Sequence, residues 1–238
     1  MKVLILINKV GLGDCIIHLN YIHEISKKYE KPVSILAKEN TRAKDLFQDD
    51  PHIKEVITLD RLEDETGSHD GLNGFIKLIK DIKEKKFDKV FIFNSSVRYF
   101  LVCKFAGIKK IAQYPLFKKK GQHVVNTAKI FTENEIDKIV STQPKLFVNQ
   151  DKILKAQKKM SFNNKCIVLG ISASGPTKRW EIKNFIKLSE KINQKFPSKF
   201  YLAAGKNDQP LINEISNSNI GSHCVSLNNL KINEMLPI

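Results

Sequence analysis

The chain has 238 residues, 42% hydrophobic and 27% charged, which is ordinary for a globular protein and leaves ample apolar material for one large or two modest cores. A formal net charge of +15 points to an anionic partner: nucleic acid, an anionic membrane surface or a phosphorylated small molecule, unless it is simply solvated surface. Cys15, Cys103, Cys166 and Cys224 are far apart with no C-x-x-C pair, which argues against a zinc centre or a disulfide scaffold, and no apolar run reaches the roughly 18 residues that span a bilayer.

The chain opens on "MKVLILIN", too short for a signal-peptide core, and runs straight into a glycine turn. Short β-rich runs then alternate with helix-period segments. The runs are "VLILIN" from Val3, "VSILA" from Val33, "EVITL" from Glu55, "KVFIFN" from Lys89, "CIVLGIS" from Cys166, "KFYLAAG" from Lys199 and "HCVSL" from His223. Several are apolar at nearly every position, the pattern of strands buried on both faces of a parallel sheet. Cys15, Leu19, Ile22, Ile25 and Tyr29 recur at three or four residues, as do Phe185, Leu188, Ile192 and Phe196, each set marking one face of an amphipathic helix. This alternation predicts right-handed βαβ units in doubly wound parallel sheets. Between Thr132 and Asn163 the pattern lapses into a polar stretch with no clear strand. It is read as a connection carrying one or two helices. The organisation is therefore a domain over 1–150 and a second, shorter α/β domain over 160–238, with only three visible strands, starting near Lys165.

The turn "KVGLGD" follows the first run, where functional atoms of open α/β sheets collect. Gly11 and Gly13 let a ligand approach the backbone. However, Ile16 stands where a dinucleotide fingerprint needs its third glycine, and Asp14 stands where a phosphate loop needs Lys. Two readings fit Asp14: a helix N-cap or first-turn acid, or a general base taking a proton from a substrate hydroxyl.

After "CIVLGIS" comes "ASGPTKRW", with Ser172, Ser174, Gly175 and Thr177 in the turn and Lys178 and Arg179 expected at the helix start. Cations there oppose the helix dipole unless a bound anion reverses the balance, so a phosphate or diphosphate site competes with a plain surface Lys-Arg pair. Trp180 reads as a packing anchor. The run "KFYLAAG" ends in "GKNDQP", where Gly205, Asn207 and Asp208 either meet a nucleotide or form a turn with Asp208 capping the helix after Pro210.

These segments resemble glycosyltransferase family 9, the ADP-heptose:lipopolysaccharide heptosyltransferases, whose fold is GT-B: two facing Rossmann-like domains. "GLGDCIIHL" is similar to the family's opening turn, "SASGPTKRW" with Phe185 to its donor-phosphate loop, and "AAGKND" to its glycine-rich turn near the nucleotide. "FNSSVRYFLVCKFAGIKKIAQY" and "HVVNTAKIF" also fit the family's N-terminal domain. The resemblance implies an inverting transferase in which Asp14 is the catalytic base. Ser172, Ser174, Thr177, Lys178, Gly205, Asn207 and Asp208 would hold a nucleotide-diphosphate sugar. Gly11, Gly13 and the "FKKKGQH" lysines Lys118, Lys119 and Lys120 would lie on the side of an anionic lipid-linked oligosaccharide acceptor, unless the lysines are a solvated charge run.

It further implies a lipopolysaccharide-building enzyme with no cofactor and no metal, cytoplasmic and in peripheral contact with the inner membrane. The chain departs from the family in having Glu181 where Pro usually follows the Trp, and in lacking the family's later Asp-Ser/Thr-Gly-Pro-x-His motif. The second domain is thus expected to be incomplete, and the chain to be a fragment with little activity alone. The alternative is a non-catalytic module binding an anion or glycan. A nucleic-acid partner ranks last, because the basic residues are spread out and no nucleic-acid motif is present.

Overall fold

The computed structural model describes residues 1–8, 11–62, 64, 66–115, 123–159, 165–173 and 175–238. They form two compact units, Met1–Phe147 and Val148–Ile238.

The first unit runs β1 (Val3–Ile7), α1 (Leu12–Lys28), β2 (Val33–Lys38), α2 (Ala43–Leu46), β3 (Ile53–Leu59), α3 (Gly71–Lys85), β4 (Lys89–Ile92), α4 (Val97–Phe105), β5 (Lys110–Gln113) and α5 (Val124–Ile136). The sheet order is β3-β2-β1-β4-β5, and every pair is parallel. The chain therefore winds outward from β1 through β2 to β3, then returns to the other side of β1 to lay down β4 and β5. Right-handed crossovers place α1 on one face and α3 and α4 on the other, and α5 packs against α1. All five residues of β1 are buried, as the central position requires. One face packs Leu4, Leu6, Ile92, Leu78, Tyr99 and Val102. On the other, Phe131 meets Phe91, Phe93 and Tyr114 edge-on at 6.3, 5.2 and 5.0 Å between ring centroids.

The strand β5 departs from expectation. "KIAQ" is four residues long, half polar and at the sheet edge, so it carries no apolar run. The polar stretch read as a connection is divided between the two units: the last turn of α5, a helix that packs on α1, belongs to the first. Phe147, the last residue of that unit, meets the rings of His23 and His52 at 5.3 and 5.6 Å, and His23 Nε2 lies 2.7 Å from Asp50 Oδ2. Burial and the neighbouring His23 hold the His52 pKa below its ordinary value.

The second unit runs α6 (Gln150–Lys159), β6 (Lys165–Gly170), α7 (Ile182–Lys195), β7 (Ser198–Ala203), α8 (Gln209–Ser216), β8 (Cys224–Ser226) and α9 (Ile232–Met235). Its sheet, in the order β6-β7-β8, is parallel and contains the three strands that were read from the sequence. Leu169, Ile171, Ile182, Phe200, Leu202 and Ile212 form its core.

Cys15 and Cys103 are buried thiols: burial pushes the Cys15 pKa up to about 11 and that of Cys103 to about 12. Cys166 and Cys224 are half-buried, and no disulfide joins the four. Among the described residues no helix is long and apolar enough to cross a membrane.

Candidate active site

The reversal of strand order between β1 and β4 opens a crevice at their carboxyl ends, the place where ligands bind in open α/β sheets. The turn after β1 leads there. Gly11 has φ +102°, a conformation that side chains resist, and occupies the N-cap of α1. Asp14 is therefore not the cap: it stands third in the helix, inside its first turn, where the exposed N–H groups favour negative charge. A Cβ placed on Gly11 would come 3.9 Å from Asp14 Oδ2, so the carboxylate leans back over the turn. The backbone carbonyl of Asp14 accepts a 2.6 Å hydrogen bond from His18 Nδ1, and the buried His18 ring rests on Phe93 at 5.0 Å. That contact couples the first helical turn to β4.

The two glycines differ. A Cβ on Gly13 would meet nothing within 4 Å. Gly13→Ala is expected to raise stability by roughly 0.5–1 kcal/mol through helix propensity, while Gly11→Ala lowers it through the strained φ by about 1–2 kcal/mol. Thermal melts of the two variants check both signs. If the acceptor passes over Gly13, transfer falls in the more stable variant.

Beside this turn stand polar groups that were not foreseen. Asn94 Oδ1 accepts from the Ser96 N–H at 2.9 Å, and Gln113 Nε2 donates to the Asn94 and Ser96 carbonyls at 3.1 and 3.0 Å. Among the described residues, Asn8 Oδ1, Asn94 Nδ2 and Gln113 Oε1 are buried without a hydrogen-bond partner. The pairing of Leu6 with Ile92, continued by two residues, sets Asn8 level with Asn94. Unpaired buried amides are costly unless water or a ligand completes them. The signal lay in the sequence: "VLILIN" and "KVFIFN" both end in Asn.

In the second unit the loops after β6 and β7 meet at Asp208, which is 7% exposed. Its Oδ2 accepts from Ser172 Oγ at 2.6 Å and from the Gly205 N–H at 3.0 Å, while Oδ1 pairs with Arg179 Nη2 at 3.2 Å. Arg179 also donates to the Ala173 carbonyl through Nε and Nη2, at 3.3 and 3.2 Å. Asp208 does occupy the N-cap position of α8, but its carboxylate makes no capping bond. Ser172 and Asp208, both expected at the donor, are engaged with each other.

Lys178 and Arg179 do not begin the helix. Pro176–Lys178 is a separate 3₁₀ turn, and α7 starts at Ile182 with Glu181 as N-cap. Thr177, Lys178, Gly205 and Asn207 are exposed. Trp180 packs edge-on against Phe185 at 5.0 Å, yet half of it remains in solvent. Ser174, Lys118, Lys119 and Lys120 lie outside the described residues.

Residues 75–228 match the family model for glycosyltransferase family 9 (heptosyltransferase), well over half of the chain. The chain belongs to that family. It is a glycosyltransferase. The matched span includes the Ser172–Asp208 loops and begins after the Asp14 turn. No curated protein sequence matches.

Among solved structures, the chain resembles Escherichia coli ADP-heptose lipopolysaccharide heptosyltransferase II with a TM-score of 0.76 at 18% identity, over 99% of this chain and 75% of that one. It resembles a family 9 glycosyl transferase from Veillonella parvula DSM 2008 equally well, at 0.76 and 14% identity, over 99% and 73%. For E. coli heptosyltransferase WaaC with ADP-2-deoxy-2-fluoro heptose the values are 0.67 and 10%, over 100% and 79%. These likenesses assign the heptosyltransferase its GT-B-like fold.

Proposed function

We propose that this heptosyltransferase moves a heptose-like sugar from a nucleotide-diphosphate donor to a hydroxyl of the lipid-linked lipopolysaccharide core, with inversion. The place of Asp14 carries the reading: a half-exposed carboxylate in the first turn of α1, at the switch point of the sheet. The acceptor O–H gives its proton to that carboxylate as the oxygen bonds to the anomeric carbon. The bond from that carbon to the diphosphate oxygen breaks, and the nucleoside diphosphate leaves with the electron pair. The unpaired amides of Asn8 and Asn94 offer one acceptor and one donor to sugar hydroxyls at the same edge.

In the second unit the exposed Thr177, Lys178, Gly205 and Asn207 are the donor side, with Lys178 meeting the diphosphate charge. The resemblance to WaaC, a protein solved with ADP, supports an adenine nucleotide. Cationic side chains and backbone N–H groups are sufficient for the leaving diphosphate, so no metal ion enters this reading. The enzyme would work at the cytoplasmic face of the membrane that carries its acceptor.

Calorimetry with ADP tests the donor side. Lys178→Ala is expected to weaken ADP roughly tenfold or more, the effect of losing one charge-assisted hydrogen bond. Equal affinity in that variant removes Lys178 from the donor site. No heat with ADP, together with heat on adding an anionic glycan, favours a binding module over a transferase.

A further inference from the structure

The helix α3 leaves an apolar stripe uncovered. Leu72 is 83% and Ile76 51% exposed, although both are large aliphatic residues on a helix with a well-packed opposite face of Leu78 and Ile82. At 100° per residue Leu72, Lys83, Ile76 and Lys80 fall within about 80° of arc. The acids of the helix, Asp81 and Glu84, lie outside that arc, and Asp81 is paired with His69 at 2.9 Å. The acids of residues 63–65 precede the helix.

Val97, the first residue of the neighbouring α4, is 49% exposed. Arg98 Nη2 donates to the carbonyls of His69 and Gly71 at 2.9 and 3.0 Å, which fixes the start of α4 against the start of α3. Both helices start at the carboxyl edge of the sheet, the edge that holds Asp14. The segment 71–110 is basic as a whole, with ten Lys and Arg against three Asp and Glu, and of these Lys85 and Lys89 are paired with Glu55 and Glu135.

An aliphatic stripe interleaved with lysines and free of acids is matched to a surface that is apolar beneath and anionic above. We infer that α3, with the start of α4, seats the protein on an anionic lipid bilayer, with Leu72, Ile76 and Val97 entering the headgroup boundary and Lys80 and Lys83 meeting lipid phosphates. The inference rests on the proposed lipid-linked acceptor, because it brings the edge bearing Asp14 down to the layer in which such an acceptor is anchored.

Co-sedimentation with vesicles of phosphatidylcholine, alone or mixed with phosphatidylglycerol, reads the contact. The chain is expected to pellet with the mixed vesicles and less so as salt rises. Leu72→Ser with Ile76→Ser should reduce the bound fraction roughly tenfold, as the loss of buried apolar area implies. Lys80→Glu with Lys83→Glu should abolish the preference for anionic vesicles. These positions are exposed, so circular dichroism and ADP calorimetry should stay unchanged in both variants, and the ADP signal reports on the transferase reading independently.

Pelleting of either variant at the level of the unaltered chain overturns the inference, as does absence of binding to the mixed vesicles. So would a dimer in sedimentation equilibrium that the Leu72 and Ile76 variant converts to monomer, since the stripe would then be covered by a second copy. Binding to nucleic acid that depends on the same two lysines, without vesicle binding, would overturn it too.

Discussion

Asp14→Asn is expected to lower the rate of sugar transfer by about 10²–10⁴-fold, the usual contribution of a positioned general base. The substitution preserves the shape of the side chain and removes its capacity to take a proton. Folding should be little affected, because Asp14 caps nothing: Gly11 holds the N-cap. The exposed first turn loses only the interaction of a charge with the helix N-terminus, about 0.3–1 kcal/mol. ADP affinity should remain within about twofold, since the donor loops belong to the other unit. Glu at this position keeps the base but extends it by one methylene, so partial activity is expected, between Asn and Asp. A transfer assay with ADP-heptose, on variants whose melting temperatures match the unaltered chain, reads this directly. Turnover unchanged in Asp14→Asn would transfer the role of base elsewhere and leave Asp14 as a first-turn acid.

What the sequence disclosed was what depends on neighbours along the chain. The continuous apolar runs at Val3 and Val33 identified strands buried on both faces, and the structure buries β1 throughout. The period of Cys15, Leu19, Ile22 and Ile25 marked the face of α1 that becomes fully buried. Where hydrophobicity was not the organising force, the pattern failed. The strand β5 forms because β4 offers an open edge, and "KIAQ" needs no apolar period to pair there. Asp14 was open to a capping role because an acid at a helix start commonly caps, but the strained turn demanded Gly11 one turn earlier.

The crevice amides needed the strand order, since Asn8 and Asn94 are 86 residues apart and only the β1–β4 pairing makes them neighbours. The role of Asp208 was hidden for the same reason. Its partners Ser172 and Arg179 come from the loop after another strand, and the register of Gly170 with Ala203 brings the two loops together.

That junction sets the second large effect. Asp208→Ala leaves three donors without their acceptor: the Ser172 hydroxyl, the Gly205 N–H and the Arg179 guanidinium. Loss of a buried carboxylate in such a network costs about 2–3 kcal/mol, enough to lower the melting temperature of the second unit by several degrees. Asp208→Asn retains an oxygen for one donor but loses the charge that Arg179 answers, and about 1–2 kcal/mol is expected. Ser172→Ala removes one neutral-to-charged hydrogen bond and should cost about 1–2 kcal/mol.

Nucleotide binding separates this structural role from direct contact. If Asp208 only ties the loops, ADP affinity should fall in step with stability across the three variants, because the Thr177–Lys178 turn is released as the junction weakens. A variant that loses ADP affinity while melting at the unaltered temperature would put the carboxylate on the ribose itself. Its pairing with Arg179, at 3.2 Å, argues for the first outcome, since a carboxylate already holding three donors has little acceptor capacity left for a sugar hydroxyl.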